Sequence, residues 1–106
     1  MQNERLPQLF LMEKTDNQDP MIKYMIALEL KKNADLRCED YFSCLLTDFP
    51  DYMATYYIAG EYFYNKEAYE RSAEILKKGL EIAQKQENQK AFTEIKNLLF
   101  NVEMEF

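Results

Sequence analysis

A chain of 106 residues with 47% apolar side chains can bury one hydrophobic core, which argues against a disordered protein. It has two glycines and three prolines, too few for the many tight turns of an all-β sandwich or barrel, so helices are expected. The net charge of −6 disfavours binding to nucleic acid and to anionic membrane surfaces, because lysine and arginine contacts to phosphate dominate such binding.

Apolar residues at helical spacing predict a short first helix at about residues 3–14. Asp19 and Pro20 predict the start of a second helix, because aspartate is a good N-cap and proline fits the first helical position. A short turn with Asp35 as the next cap leads to a third helix, whose apolar residues recur in three- and four-residue steps. The second and third helices together span about residues 20–49.

The second half of the chain predicts three more helices. Pro50 breaks the third helix, and the stretch 52–65 follows with six aromatic residues. Aromatic residues favour strands, but these do not alternate with polar ones, so a fourth helix is predicted. A long amphipathic fifth helix closes the segment 51–85, and a last helix at about 88–104 places its apolar residues mainly on one face.

The chain contains an internal repeat. The segment 24–27, which reads YMIA, recurs 33 residues later at 57–60 as YIAG. Beyond the following turn the offset becomes 34, as in the pairing of Cys38 with Ser72. An offset of 32 also aligns several residues, but 33 keeps the small residues that end the two segments in register. A period of this length is typical of stacked helix pairs.

This pattern resembles the tetratricopeptide-repeat (TPR) family, whose unit is a helix pair of about 34 residues. Ala27 and Gly60 stand where the family has a small residue at the crossing of the paired helices. The resemblance covers roughly residues 20–84 and implies an all-α fold, an α-solenoid of antiparallel helix pairs in a right-handed superhelix. Leu45 departs from the pattern, because it is large where its counterpart Gly79 is small.

The resulting domain prediction is a single TPR-like domain over residues 1–106, a small stand-alone protein of bacterial type. It has about six helices: the N-terminal helix 3–14, repeat one at 20–49, repeat two at 51–85 and a capping helix at 88–104. The alternative is an ordinary helical bundle whose periodicity is accidental.

The composition excludes most of the common catalytic mechanisms. Without histidine the chain lacks the usual acid/base group and the commonest metal ligand, and two glycines cannot form a phosphate-binding loop. Glu13, Asp16 and Asp19 form an acidic stretch, but it lacks the central glycine of a calcium-binding loop and is expected to be a solvated loop. We therefore predict no metal, no cofactor and no enzymatic activity. An enzyme that uses carboxylates alone is the alternative, and no converging set of groups supports it.

The sequence also predicts where in the cell the protein is located. No basic segment followed by an apolar stretch opens the chain, and no apolar run reaches the roughly 20 residues that span a bilayer. Cys38 and Cys44 would point about 240° apart on one helix, so a bridge between them is not expected. Two free thiols fit a reducing cytosol, so a cytoplasmic protein is predicted, and its net charge of −6 makes it acidic.

The family resemblance also implies a binding face, which the first helix of each pair lines. The implied residues are Tyr24, Leu28 and Lys31 in repeat one, and Tyr57, Glu61, Tyr64 and Asn65 in repeat two. Tyrosine suits binding because it combines a large apolar area with one polar tip. The alternative is that these tyrosines pack against the terminal helices. The Lys and Asn clamp with which some family members grip chaperone tails is absent, because those places hold Tyr24, Leu28 and Ile58.

The leading functional hypothesis is a protein-interaction module or scaffold that binds a peptide or helix in a tyrosine-lined concave groove. The alternative is a structural subunit that self-associates through its apolar C-terminal helix. The residues expected to form such a homo-oligomer are Phe100, Met104 and Phe106, because the tail has more apolar residues than one helix face needs.

Overall fold

The computed structural model describes residues 5–106, and this part of the chain forms six α-helices and no strand. The all-α prediction with about six helices is confirmed. The predicted start of the first helix at residues 3 and 4 lies outside the described residues. The helices are α1 Arg5–Thr15, α2 Pro20–Lys32, α3 Arg37–Asp48, α4 Ala54–Asn65, α5 Tyr69–Lys85 and α6 Gln89–Glu103.

The chain divides into two compact units, with the boundary between Tyr52 and Met53. The first unit contains α1, α2 and α3, and the second contains α4, α5 and α6. The grouping of the helices into a single domain with repeats at 20–49 and 51–85 stays a prediction.

In the first unit α2 packs between α1 and α3. Its start is as predicted: Pro20 is the first helical residue, and the Asp19 carboxylate accepts a hydrogen bond from the Met21 N–H at 2.9 Å. Asp35 similarly accepts the Arg37 N–H at 3.0 Å, at the residue where α3 begins. The core is built from apolar residues at four-residue steps on α2 together with α3 side chains: Ile22, Ile26, Leu30, Phe42 and Leu45.

In the second unit α5 packs against both α4 and α6, and α6 also contacts α4. Two glycines allow these close contacts. A side-chain carbon added at Gly60 on α4 would lie 2.7 Å from the Leu76 Cγ on α5. One added at Gly79 on α5 would lie 2.7 Å from the Tyr56 Cβ and 3.1 Å from the Ile95 Cδ1. Gly60 thus lies at the crossing of α4 and α5, where the sequence pattern places a small residue.

The turns after α2 and α4 have the same geometry. Ala34 and Glu67, which are 33 residues apart, both have left-handed backbones, with φ of 57° and 63°. In each turn the next N–H bonds to the carbonyl five residues earlier, at 2.8 Å for Asp35 and 2.9 Å for Ala68. Glu87, with φ of 55°, ends α5 in the same way. These are Schellman-type helix ends, and their spacing matches the 33-residue offset read from the sequence.

Candidate functional site

A cleft of the second unit runs between α4 and α6 and is centred on Tyr57. This tyrosine is half-buried on α4 and lines two cavities of about 380 and 300 Å³, both of which also include Glu94 of α6. The other lining residues of the first cavity are Asn97, Leu98 and Asn101. Those of the second are Met53, Ala54, Asn88, Lys90, Ala91 and Ile95.

The helical geometry of α4 explains why Tyr57 faces this cleft. Tyr56 and Gly60, four residues apart, are buried where α5 packs. The next position along the helix is turned by about 100°, which directs Tyr57 away from the contact with α5. Glu61 lies one turn after Tyr57 on the same face of α4 and is also half-buried.

The electrostatic environment of Tyr57 is negative. Burial, followed by the nearby carboxylates of Glu61 and Glu94, raises the pKa of the Tyr57 hydroxyl above its ordinary value of 10.0. The phenol is therefore a neutral hydrogen-bond donor at physiological pH. Within the described residues 5–106, neither Glu61 nor Glu94 forms an ion pair.

Of the four predicted binding residues of the second unit, only Tyr57 lines these cavities; the other three, Glu61, Tyr64 and Asn65, do not. Tyr64 is half-buried near the end of α4, and its ring centroid lies 5.9 Å from that of Tyr69 on α5. Asn65, the last residue of α4, is exposed. The structure therefore brings Tyr57 and Glu61 together on one face and leaves Tyr64 and Asn65 near the far end of the helix.

The three predicted residues of the first unit lie on α2. Tyr24 is half-buried and packs edge-to-face on Tyr52, with ring centroids 5.6 Å apart and an interplanar angle of 62°. Burial, followed by the neighbouring Tyr52, raises the pKa of the Tyr24 hydroxyl. Leu28 and Lys31 follow at steps of four and three residues and are also half-buried. Their role in binding stays a prediction.

Comparison with known proteins identifies the fold. No family model and no curated protein matches the chain. A crystal structure of a tetratricopeptide repeat domain protein from Salinibacter ruber is 27% identical, with a TM-score of 0.76, over 80% of this chain and 97% of that one. A solution NMR structure described in the same way, also from Salinibacter ruber, is 29% identical, with a TM-score of 0.77, over 83% and 90%. The chain is a TPR-like protein.

This result confirms the resemblance read from the sequence. Structural neighbours with a TPR fold point to a protein-interaction module in general terms, and such folds are typically non-enzymatic scaffolds. In the part of the chain that the structure describes, no helix is long and apolar enough to cross a membrane.

Sequence reasoning missed the contribution of α6 to the cleft of this TPR-like protein. Glu94, Asn97 and Asn101 lie at steps of three and four residues and so share one face of the helix. The apolar face of the last helix predicts a capping role for it. The polar spacing was visible, but such a stripe is typical of any solvent-facing helix and does not by itself indicate a binding surface.

The acidic stretch near the first turn has a structural role instead. Glu13 on α1 accepts a hydrogen bond from the Tyr41 hydroxyl at 2.8 Å and forms an ion pair of 2.8 Å with Lys23 on α2. Because Tyr41 belongs to α3, this one carboxylate links all three helices of the first unit. Among residues 5–106, no group of three histidine, cysteine or acidic side chains is placed to hold a metal ion.

Within the described residues 5–106, the two cysteines form no disulfide bond. Cys38 is buried in the core of the first unit, where it occupies the small-residue position of the repeat. Cys44 is half-buried, and its thiol donates to the Asp48 carboxylate at 3.5 Å. Burial, followed by this hydrogen bond, raises the pKa of the Cys44 thiol, which lowers its reactivity because the thiolate is the nucleophile.

Proposed function

We propose that this TPR-like protein binds a peptide or helical segment of another protein along the α4–α6 cleft, with Tyr57 as the central anchor. The observation that carries the proposal is that Tyr57 lines both cavities of the cleft while remaining half exposed. A partly buried tyrosine offers an apolar ring and a hydroxyl at little cost in conformational entropy, because it has few rotatable bonds. Leu98 adds apolar surface, and Asn97 and Asn101 supply hydrogen-bonding groups.

We extend the proposal to the other predicted binding residues, which do not line the two cavities. Glu61 belongs to the same face as Tyr57, whereas Tyr64 and Asn65 would contact only a segment that continues to the end of α4. A contribution of Tyr24, Leu28 and Lys31 rests on the resemblance to the family and on their shared face of α2.

The test begins with peptides selected from a random display library on the immobilised protein, whose affinities are then measured by fluorescence anisotropy. We expect Tyr57→Ala to weaken binding by roughly tenfold to a hundredfold, the range typical of a central aromatic anchor. Tyr69→Ala is the matched control, because it removes a tyrosine from the same unit outside both cavities. Equal affinity of the Tyr57→Ala variant and the wild type would contradict the proposal.

A second candidate function is self-association through the end of the chain. Phe100, Met104 and Phe106 are exposed to 65%, 69% and 68%, although large apolar side chains usually avoid water. Phe100 and Met104 lie four residues apart and so share one face. Together they offer an apolar patch for a second copy of the chain.

Sedimentation measurements test this second candidate. If the patch is an interface, the wild type is a dimer or larger, and a variant with serine at positions 100, 104 and 106 is a monomer. Substitution is a cleaner test than deletion of the last ten residues, because deletion would also remove the buried Leu98, Leu99 and Val102. A wild type that sediments as a monomer at all accessible concentrations would exclude the idea.

A further inference from the structure

The chemistry of the cleft walls restricts the segment that could bind there. Tyr57 of α4 lines one side of the first cavity, and Glu94, Asn97 and Asn101 of α6 line the other. Glu61, one turn after Tyr57 on the same face of α4, adds a second carboxylate on this side of the cleft. An aromatic face beside carboxylate and amide oxygens is a suitable environment for a planar cation.

Acidic side chains outnumber basic ones around Tyr57. The carboxylates of Glu61 and Glu94 form no ion pair among residues 5–106, and no cation counts among the groups that act on the Tyr57 hydroxyl. Lys90 is the lysine that lines the second cavity, near the start of α6. The whole chain carries a net charge of −6, so a cationic segment is attracted and an acidic one is repelled.

We infer that the α4–α6 cleft takes an arginine side chain of the partner segment, stacked on the Tyr57 ring and hydrogen-bonded to the Glu94 carboxylate. This inference rests on the proposed function of the cleft. Arginine fits better than lysine, because its flat guanidinium can stack on the ring while its N–H groups donate to the Glu94 carboxylate and to the amide oxygens of Asn97 and Asn101. A lysine ammonium has no flat face to stack on the ring and donates from a single point.

The test uses the peptides that display selection yields on the wild-type protein. We expect these peptides to be enriched in arginine, and one arginine in each to dominate binding. Replacing that arginine with citrulline, which keeps the shape and removes the charge, is expected to weaken binding about tenfold, and lysine is expected to bind with intermediate affinity. Affinity should also fall as salt is raised, because the carboxylates are partly exposed to solvent.

The matching variant on the protein is Glu94→Gln, which is expected to weaken the arginine peptide about tenfold and to leave the citrulline peptide nearly unchanged. Glu70→Gln is the control, because it makes the same charge change on an exposed residue of α5 that lines neither cavity. Equal losses in the two variants, or no preference for arginine over citrulline, would overturn the inference.

The two proposals fail in different ways. If the selected peptides depend on Tyr57 but show no arginine preference, the inference about arginine is wrong and the proposed binding face stands. If Tyr57→Ala has no effect on any selected peptide, or if no peptide is selected, both the proposed function and the inference are wrong.

Discussion

Two hydroxyl groups buried in the second unit differ in their hydrogen bonding. The Ser72 hydroxyl donates to the Gly60 carbonyl at 2.7 Å, which adds a polar contact at the crossing of α4 and α5. The Thr55 hydroxyl is also fully buried, but it has no hydrogen-bond partner in the described part of the chain. A buried polar group without a partner loses its contacts with water and gains nothing in return, so the two hydroxyls have opposite effects on stability.

Substitution of these two residues should therefore shift stability in opposite directions. Thr55→Val removes the unpaired hydroxyl at nearly constant volume and is expected to raise the free energy of unfolding by about 1 kcal/mol. Ser72→Ala removes a formed hydrogen bond and is expected to lower it by roughly 0.5–1 kcal/mol. Urea unfolding followed by circular dichroism measures both. A destabilised Thr55→Val variant would show that the hydroxyl is paired in solution.

The carboxylate of Glu13 gives the first unit its clearest polar contact between helices. Its two oxygens are used separately, one by Lys23 and one by the Tyr41 hydroxyl. Burial, followed by the hydrogen bond to Glu13, raises the pKa of Tyr41 well above its ordinary value of 10.0. The neutral phenol is thus the form that the fold favours.

Tyr41→Phe removes the hydroxyl while it keeps the ring, and we expect it to lower the free energy of unfolding by roughly 1–2 kcal/mol at pH 7. A raised tyrosine pKa means that the unfolded chain ionises first, so its stabilising effect is complete below about pH 10 and is lost as the pH rises further. The variant should accordingly lose less stability than the wild type between pH 9 and pH 11. Parallel pH profiles in the two proteins would contradict this role.

At the level of whole elements, the helix ends carry the signature of the repeat. Ala34, Glu67 and Glu87 each take a left-handed backbone that favours glycine, and none of them is glycine. The hydrogen bonds of the Schellman-type ends offset part of this strain. At these three positions a residue other than glycine adopts the left-handed backbone that this type of helix end requires, at some cost in strain.

Glycine at such a position should stabilise the chain. We expect Ala34→Gly to raise the free energy of unfolding by about 0.5–1 kcal/mol, since relief of the left-handed strain outweighs the greater freedom of glycine in the unfolded chain. Ser43→Gly, in the middle of the neighbouring helix α3, is the control and should lower it by about 0.5 kcal/mol. Thermal unfolding distinguishes the two, and a destabilised Ala34→Gly variant would contradict the strain argument.

The elements themselves were largely predictable, because helical spacing and caps are local signals. The N-cap at Asp19 follows from a short-range rule and is confirmed. For α3 the N-cap residue is Leu36 and not the predicted Asp35, although the Asp35 carboxylate accepts the Arg37 N–H. The start of α4 was predicted less accurately. The sequence suggests residue 52, whereas the helix begins at Ala54. A tight turn precedes it, in which the Tyr52 N–H donates to the Phe49 carbonyl. The Asn88 side chain, which accepts the Ala91 N–H at 3.0 Å and caps α6, was not singled out.

For the whole molecule, the part of the candidate site on α4 was predictable from the sequence, and the part on α6 was not. Tyr57 followed from the family resemblance, because the first helix of each pair is expected to line the binding face. Glu94 and the two asparagines of α6 did not, since their place in the same cavity as Tyr57 depends on how two helices more than 20 residues apart in sequence pack together. The net charge of −6 indicated only that polyanions would be repelled, whereas the two carboxylates near Tyr57 support the proposal of a cationic partner.

The most direct measurement of the binding proposal is amide chemical-shift mapping of the whole chain by NMR, with a selected peptide added stepwise. The account predicts that the largest shifts cluster on the cleft side of α4 and α6, around Tyr57, Glu94, Asn97 and Asn101, and that they disappear in the Tyr57→Ala variant. Shifts that are centred on α5, or that are the same in the Tyr57→Ala variant, would contradict it.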